Sequence, residues 1–167
     1  VDPDAIARPI YTTGGHQPLR PCYTANEERS IRRAVNSHPG GVTGRKLAAV
    51  VGLAAGAGLD TMDMRYLQRN NICIGDNGIT IEVSGSRPRL TVVRKIYEDM
   101  LIAGLEGLSS KQLVFGTKKN RRNVLGNVFA NAVVFDDTPN IEVSRLRATW
   151  LAAHMQAAVP IQMILNA

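Results

Sequence analysis

Apolar residues first fall into helical register at Ile31, Ala34 and Val35, steps of three and one that place them on one face. Thr24 followed three residues later by Glu27 is a capping-box pattern, so the spacing predicts a helix from about Ala25 to Asn36. "SHPGGVTG" interrupts it. In "GRKLAAVVGLAAGAGL", Leu47, Val50, Val51, Ala54 and Ala57 share a face and Gly52, Gly56 and Gly58 sit among them. So many small residues predict a buried helix in close contact with its neighbours. "TMDMRYLQ" brings an N-terminal Thr61, an early Asp63, and Met64 and Leu67 three residues apart, which reads as a short helix at a corner formed by Asp60 and Thr61.

The period then changes to two. Ile79, Ile81 and Val83 alternate with Thr80 and Glu82 around the turn signal "GDNG", and "SGSRPR" turns the chain again before "LTVV". Three short antiparallel strands follow from this. "RKIYEDMLIAGLEG" returns to helix, with Ile96, Met100 and Ala103 expected inward and Gly104 or Gly107 near its end. A further helix is expected from Val124 to Val134 and a break at Pro139, followed by a helix striped by Leu146, Thr149, Trp150, Ala153 and Ala157. "VPIQMILNA" begins a last one. The fold class is α+β, mainly α: a helical domain carrying a small three-stranded antiparallel sheet.

Residues 1 to 21 hold Pro3, Pro9, Gly14, Gly15, Pro18 and Pro21, which reads as an extended arm or linker before a domain spanning residues 22 to 167. A length of 167 residues suits one such domain and leaves no room for a second large one. The start "VDPDAIARPI" has neither the charged nor the apolar part of a signal peptide and lacks an initiator Met, so the chain reads as a fragment.

Composition narrows the function. Twenty Lys and Arg against fourteen Asp and Glu leave a formal charge of +6, which favours an acidic partner such as DNA. Aromatics at 5% make base-stacking platforms unexpected. No apolar run is long enough to span a membrane, and a cytoplasmic location is expected. Cys22 and Cys73 lie in different elements without a CxxC or Cys/His cluster, so no metal site and no disulfide framework is suggested.

"SRLRATWLAAHM" carries the most chemistry. On a helix starting near Ser144, Arg147 shares a face with Leu151 and His154 while Arg145 points elsewhere, so Arg147 and His154 could reach one anion. Alternatively Arg147 caps a neighbouring helix or pairs with a carboxylate, and His154 is a packed core histidine. "TKKNRR" sets Lys118, Lys119, Arg121 and Arg122 within five positions, either a loop that tracks phosphates or a solvated surface loop.

The order "GAGLDTMDMRYL", basic hairpin, "SRLRATWLAAHM" and "AAVPIQMIL" resembles the catalytic domain of tyrosine recombinases, the phage-integrase family, from about Tyr23 to the chain end. Tyr23, Thr24 and Glu27 match the family's opening Tyr/Leu-Thr-x-x-Glu. Its Gly-Leu-Arg-x-x-Glu-Leu motif reads here Gly58, Leu59, Asp60, Thr61, Met62, Asp63, Met64, so Asp60 stands where the family has its first phosphate-clamping arginine. The family's hairpin lysine, its general acid, falls on Ser86 after Gly85, with Arg87 and Arg89 keeping the hairpin basic. The His-x-x-Arg box maps to Ser144, Arg145, Leu146 and Arg147, retaining the second arginine and losing the histidine. Tyr11, Tyr23, Tyr66 and Tyr97 all precede that box, whereas the family's nucleophile follows it.

The resemblance implies a DNA-binding protein with Arg147 as the retained phosphate-binding residue and Arg87, Arg89, Lys118, Lys119, Arg121, Arg122 and His154 on the DNA, without metal or other cofactor. Strand cleavage is not expected of a chain so substituted, and self-association on DNA is compatible with it. Two alternatives stand beside it: a fragment of an active recombinase whose tyrosine lies beyond Ala167, and an α-rich protein-interaction module without catalysis.

Overall fold

The computed structural model describes residues 21–85, 87–117, 125–132, 135 and 137–165. Seven α-helices are present among them: α1 Ala25–Asn36, α2 Gly41–Ala57, α3 Thr61–Arg65, α4 Glu98–Leu105, α5 Gly126–Ala130, α6 Val143–Gln156 and α7 Ile161–Leu165. Three strands, β1 Ile72–Gly75, β2 Gly78–Val83 and β3 Arg89–Val92, form an antiparallel sheet in the order β1-β2-β3. Ile81 pairs with Ile72 on one side and with Thr91 on the other. Ile79, Ile81 and Val83 face the core, as their alternation predicts.

Helix α2 is the axis of the domain. It is buried almost all round from Leu47 to Ala57, because its small residues admit neighbours on every side. At Gly104 a Cβ would lie 2.5 Å from the backbone nitrogen of Ala49, and at Gly52 one would lie 3.0 Å from Leu101 Cβ. The glycines therefore let α2 and α4 meet backbone to backbone. Helix α1 starts where expected, and Thr24 Oγ1 accepts from the Glu27 amide (3.3 Å) while the Thr24 amide donates to Glu27 Oε2 (2.8 Å).

The short helix α3 starts at Thr61, as expected, and Asp60 caps it. Three expectations are corrected. Ile96 and Ala103 face outward: a 3-10 turn at Lys95–Tyr97 precedes α4 and rotates it so that Tyr97, Met100, Leu101, Gly104 and Leu105 go in. Helix α5 covers only Gly126–Ala130, while Val124, Val133 and Val134 lie outside the described residues. The stripe on α6 stops at Trp150, with Ala153 half-buried and Ala157 exposed past the helix end. No helix among the described residues is long and apolar enough to cross a membrane.

Candidate functional site

Helix α2 ends at Gly58, whose left-handed backbone (φ 71°) returns its amide to the Ala54 carbonyl at 3.1 Å, and the Leu59 amide then reaches the Leu53 carbonyl at 3.2 Å. This reversal delivers Asp60 to the surface at the start of α3. Its Oδ1 accepts from the amides of Met62 (2.8 Å) and Asp63 (2.9 Å), and Asp63 Oδ2 accepts from the Asp60 amide (3.0 Å). One oxygen of Asp60 is thus spent on the helix, and Oδ2 remains.

The hairpin is fastened to the same corner. Thr91 Oγ1 donates to the Ala57 carbonyl (3.1 Å) and the Arg94 amide to the Gly56 carbonyl (2.8 Å), so the last turn of α2 carries β3. Arg89 then lies against Asp63 in a two-pronged pair, 2.7 Å and 3.2 Å, with both side chains largely buried. Arg87 pairs with Asp60 Oδ2.

From the opposite side comes α6. Its start is anchored by Tyr23, whose hydroxyl donates to the Asn140 carbonyl (2.6 Å) and accepts from the Glu142 amide (2.9 Å). Arg145 completes the anchor: it donates to the Pro21 carbonyl (3.0 Å) and Glu27 (3.2 Å), with its guanidinium 3.9 Å from the centre of the Tyr23 ring. Two residues on, and so on roughly the other side of the helix at about 100° per residue, Arg147 reaches Asp60 Oδ2 at 3.4 Å.

Asp60, Arg87, Arg89, Ser144 and Arg147 consequently line one pocket of ≈ 930 Å³, whose other wall is apolar: Pro88, Val143, Leu151, Trp150 and Ile164. Three guanidinium groups meet two carboxylates at this corner, Asp60 on the pocket lining and the buried Asp63 beside it, leaving one net positive charge. Burial pushes the Asp60 carboxyl upward, but the Asp63 amide and then the Arg87 and Arg147 guanidinium groups outweigh it and hold it below the ordinary carboxylate range. The alternative that Arg147 pairs with a carboxylate is thereby realised, in this structure, within the pocket that the resemblance would give to phosphate.

His154 does not line this pocket. Its Nδ1 donates to the Trp150 carbonyl one turn back (2.9 Å), and its ring stands 4.5 Å from the indole, centre to centre. Ser86, Lys118, Lys119, Arg121 and Arg122 lie outside the described residues. Asp63 is the site residue that sequence reasoning passed over, although Asp60-x-x-Asp63 repeats the reciprocal capping spacing seen at Thr24 and Glu27. Among the described residues no group of three His, Cys, Asp or Glu side chains is placed to hold a metal ion.

No protein-family profile and no curated protein sequence matches the chain. Solved structures do. The XerA recombinase superposes with a TM-score of 0.62 at 14% identity, over 93% of this chain and 56% of that one. The XerH site-specific recombinase, bound to its difH substrate in a pre-cleavage complex, gives 0.60 at 11% identity, over 90% and 47%. The Tn1549 transposon integrase in complex with circular intermediate DNA gives 0.54 at 13% identity, over 90% and 57%. The chain spans about half the length of each of these structures.

Proposed function

We propose that this chain, whose fold is that of a tyrosine-recombinase catalytic domain, binds the DNA backbone and does not itself cleave it. The observation that carries the reading is the pocket lined by Arg87, Arg89 and Arg147, in which Arg87 and Arg147 meet on Asp60. Guanidinium groups in that arrangement suit phosphate oxygens, and a carboxylate where the family has its first clamping arginine opposes the build-up of negative charge that cleavage requires. The formal charge of +6 and the DNA held in the XerH and Tn1549 integrase structures support the same reading.

Binding of this kind is sequence-independent and weak, carried by Arg87, Arg89 and Arg147 together with Lys118, Lys119, Arg121 and Arg122. No cofactor takes part. Exposed Leu151, Met155, Ile161 and Met163 on α6 and α7 favour self-association on DNA as a second role. The exposed thiols of Cys22 and Cys73 suit a reducing, cytoplasmic setting.

The test is fluorescence anisotropy with duplex DNA across a salt series. Affinity should fall with salt by a slope of about −0.9 for each phosphate neutralised. Replacing Lys118, Lys119, Arg121 and Arg122 together by Ala should flatten that slope. Absence of binding at low salt would overturn the reading in favour of a protein-interaction module.

A further inference from the structure

The two oxygens of Asp60 do different work. Oδ1 closes the capping box of α3 through the amides of Met62 and Asp63, whereas Oδ2 accepts from Arg87 of the hairpin and from Arg147 of α6, 87 residues away in the chain. Capping needs an acceptor oxygen but no charge, and Asn caps as well as Asp. The charge of Asp60 therefore has a separable effect: it holds two arginines from different elements on one oxygen, as a phosphate oxygen would. Asp63 replaces it only in part: its Oδ1 lies 3.9 Å from Arg87, but its carboxylate is hydrogen-bonded to Arg89 and to the Asp60 amide, and the ion-pair partner of Arg147 is Asp60. A phosphate group reaching Arg147 and Arg87 must first displace a carboxylate that the chain itself keeps in place through α3.

We propose that Asp60 is an internal competitor for phosphate, an autoinhibitory contact that keeps the Arg87 and Arg147 pair closed to oxyanions. Its consequence for DNA rests on the backbone-binding reading above; the competition itself does not. With Asp60 charged, a phosphate engages Arg87 and Arg147 only by displacing it, so the pocket holds the DNA backbone weakly, and neutralising that one residue makes it a stronger oxyanion site. The pocket then recognises a phosphate group by two guanidinium groups converging from the hairpin and from α6.

The experiment titrates inorganic sulfate into the ¹⁵N-labelled protein and follows the arginine Nε–Hε signals. The wild type is compared with Asp60→Asn, with Asp60→Ser, which also caps, and with Asp60→Asn combined with Arg147→Ala. Saturable shifts are expected at Arg87 and Arg147 in both single variants and not in the wild type, and they should disappear when Arg147 is removed. In a parallel salt series with duplex DNA, Asp60→Asn should bind several-fold more tightly and with a slope steeper by about 0.9 for each phosphate gained. Equal sulfate binding by wild type and variants, or none by the capped variants, overturns the proposal. Sulfate binding by the variants without DNA binding by any form upholds the competition and overturns the backbone-binding reading instead.

Discussion

The indole of Trp150 is seated directly on Gly58: a Cβ at position 58 would lie 2.6 Å from Trp150 Cδ2 and 2.7 Å from Cε3. This contact joins the end of α2 to the middle of α6, and so sets how far Arg147 stands from Asp60.

Gly58→Ala meets two penalties, a left-handed backbone (φ 71°) and overlap with a buried ring. The first costs about 1 to 2 kcal/mol and the second about 1 to 3, so a loss of about 2 to 5 kcal/mol is expected from urea unfolding. A loss below about 0.5 kcal/mol would show that α6 moves away freely.

Tyr23→Phe removes a hydroxyl that both donates to the Asn140 carbonyl and accepts from the Glu142 amide. Leaving partly buried backbone groups unpaired costs about 1 to 3 kcal/mol. Because these groups precede α6, amide hydrogen exchange should also rise at residues 140 to 146, and unchanged protection there would count against the anchor.

Stability should depend on acid through Asp60. Its carboxyl lies lower in the folded protein than its ordinary value, so its contribution is complete above the unfolded value of about 3.9 and is lost as pH falls through the folded one. The difference in unfolding free energy between wild type and Asp60→Asn should stay level from pH 7 to about 5 and shrink below about 4. A difference that grows on acidification contradicts the ion pairs.

No covalent adduct is expected with nicked suicide DNA substrates. The Tyr97 hydroxyl is donated to Glu28 at 2.6 Å, and burial, then the Glu28 carboxylate, hold it protonated far above its usual range. That of Tyr23 is engaged beneath α6. Neither is free to attack in line. A phosphotyrosyl adduct mapped to Tyr66 or Tyr97 by mass spectrometry would refute this.

Features whose signals are local are legible along the chain. Helix α1 follows from the Thr24 and Glu27 pair three residues apart and an apolar face, and the β1-β2 hairpin follows from strict alternation around "GDNG". Each is set by neighbours a few residues away, so a short window suffices. The glycines of α2 likewise announced close packing, since only a missing side chain explains them in a helix interior. Tertiary structure alone decided the rest. The inward face of α4 depends on a 3-10 turn that helical periodicity does not register. How near Arg147 comes to Asp60 depends on where α6 lands against α2, with the Trp150 ring packed on Gly58. Periodicity assigns a side chain to a face of its own helix, and packing between helices decides what that face meets; the spacing shows Arg147 only as a charged residue seeking an anion, and it is the family resemblance, which sets position 60 and Arg147 in one phosphate pocket, that points to Asp60 as its partner.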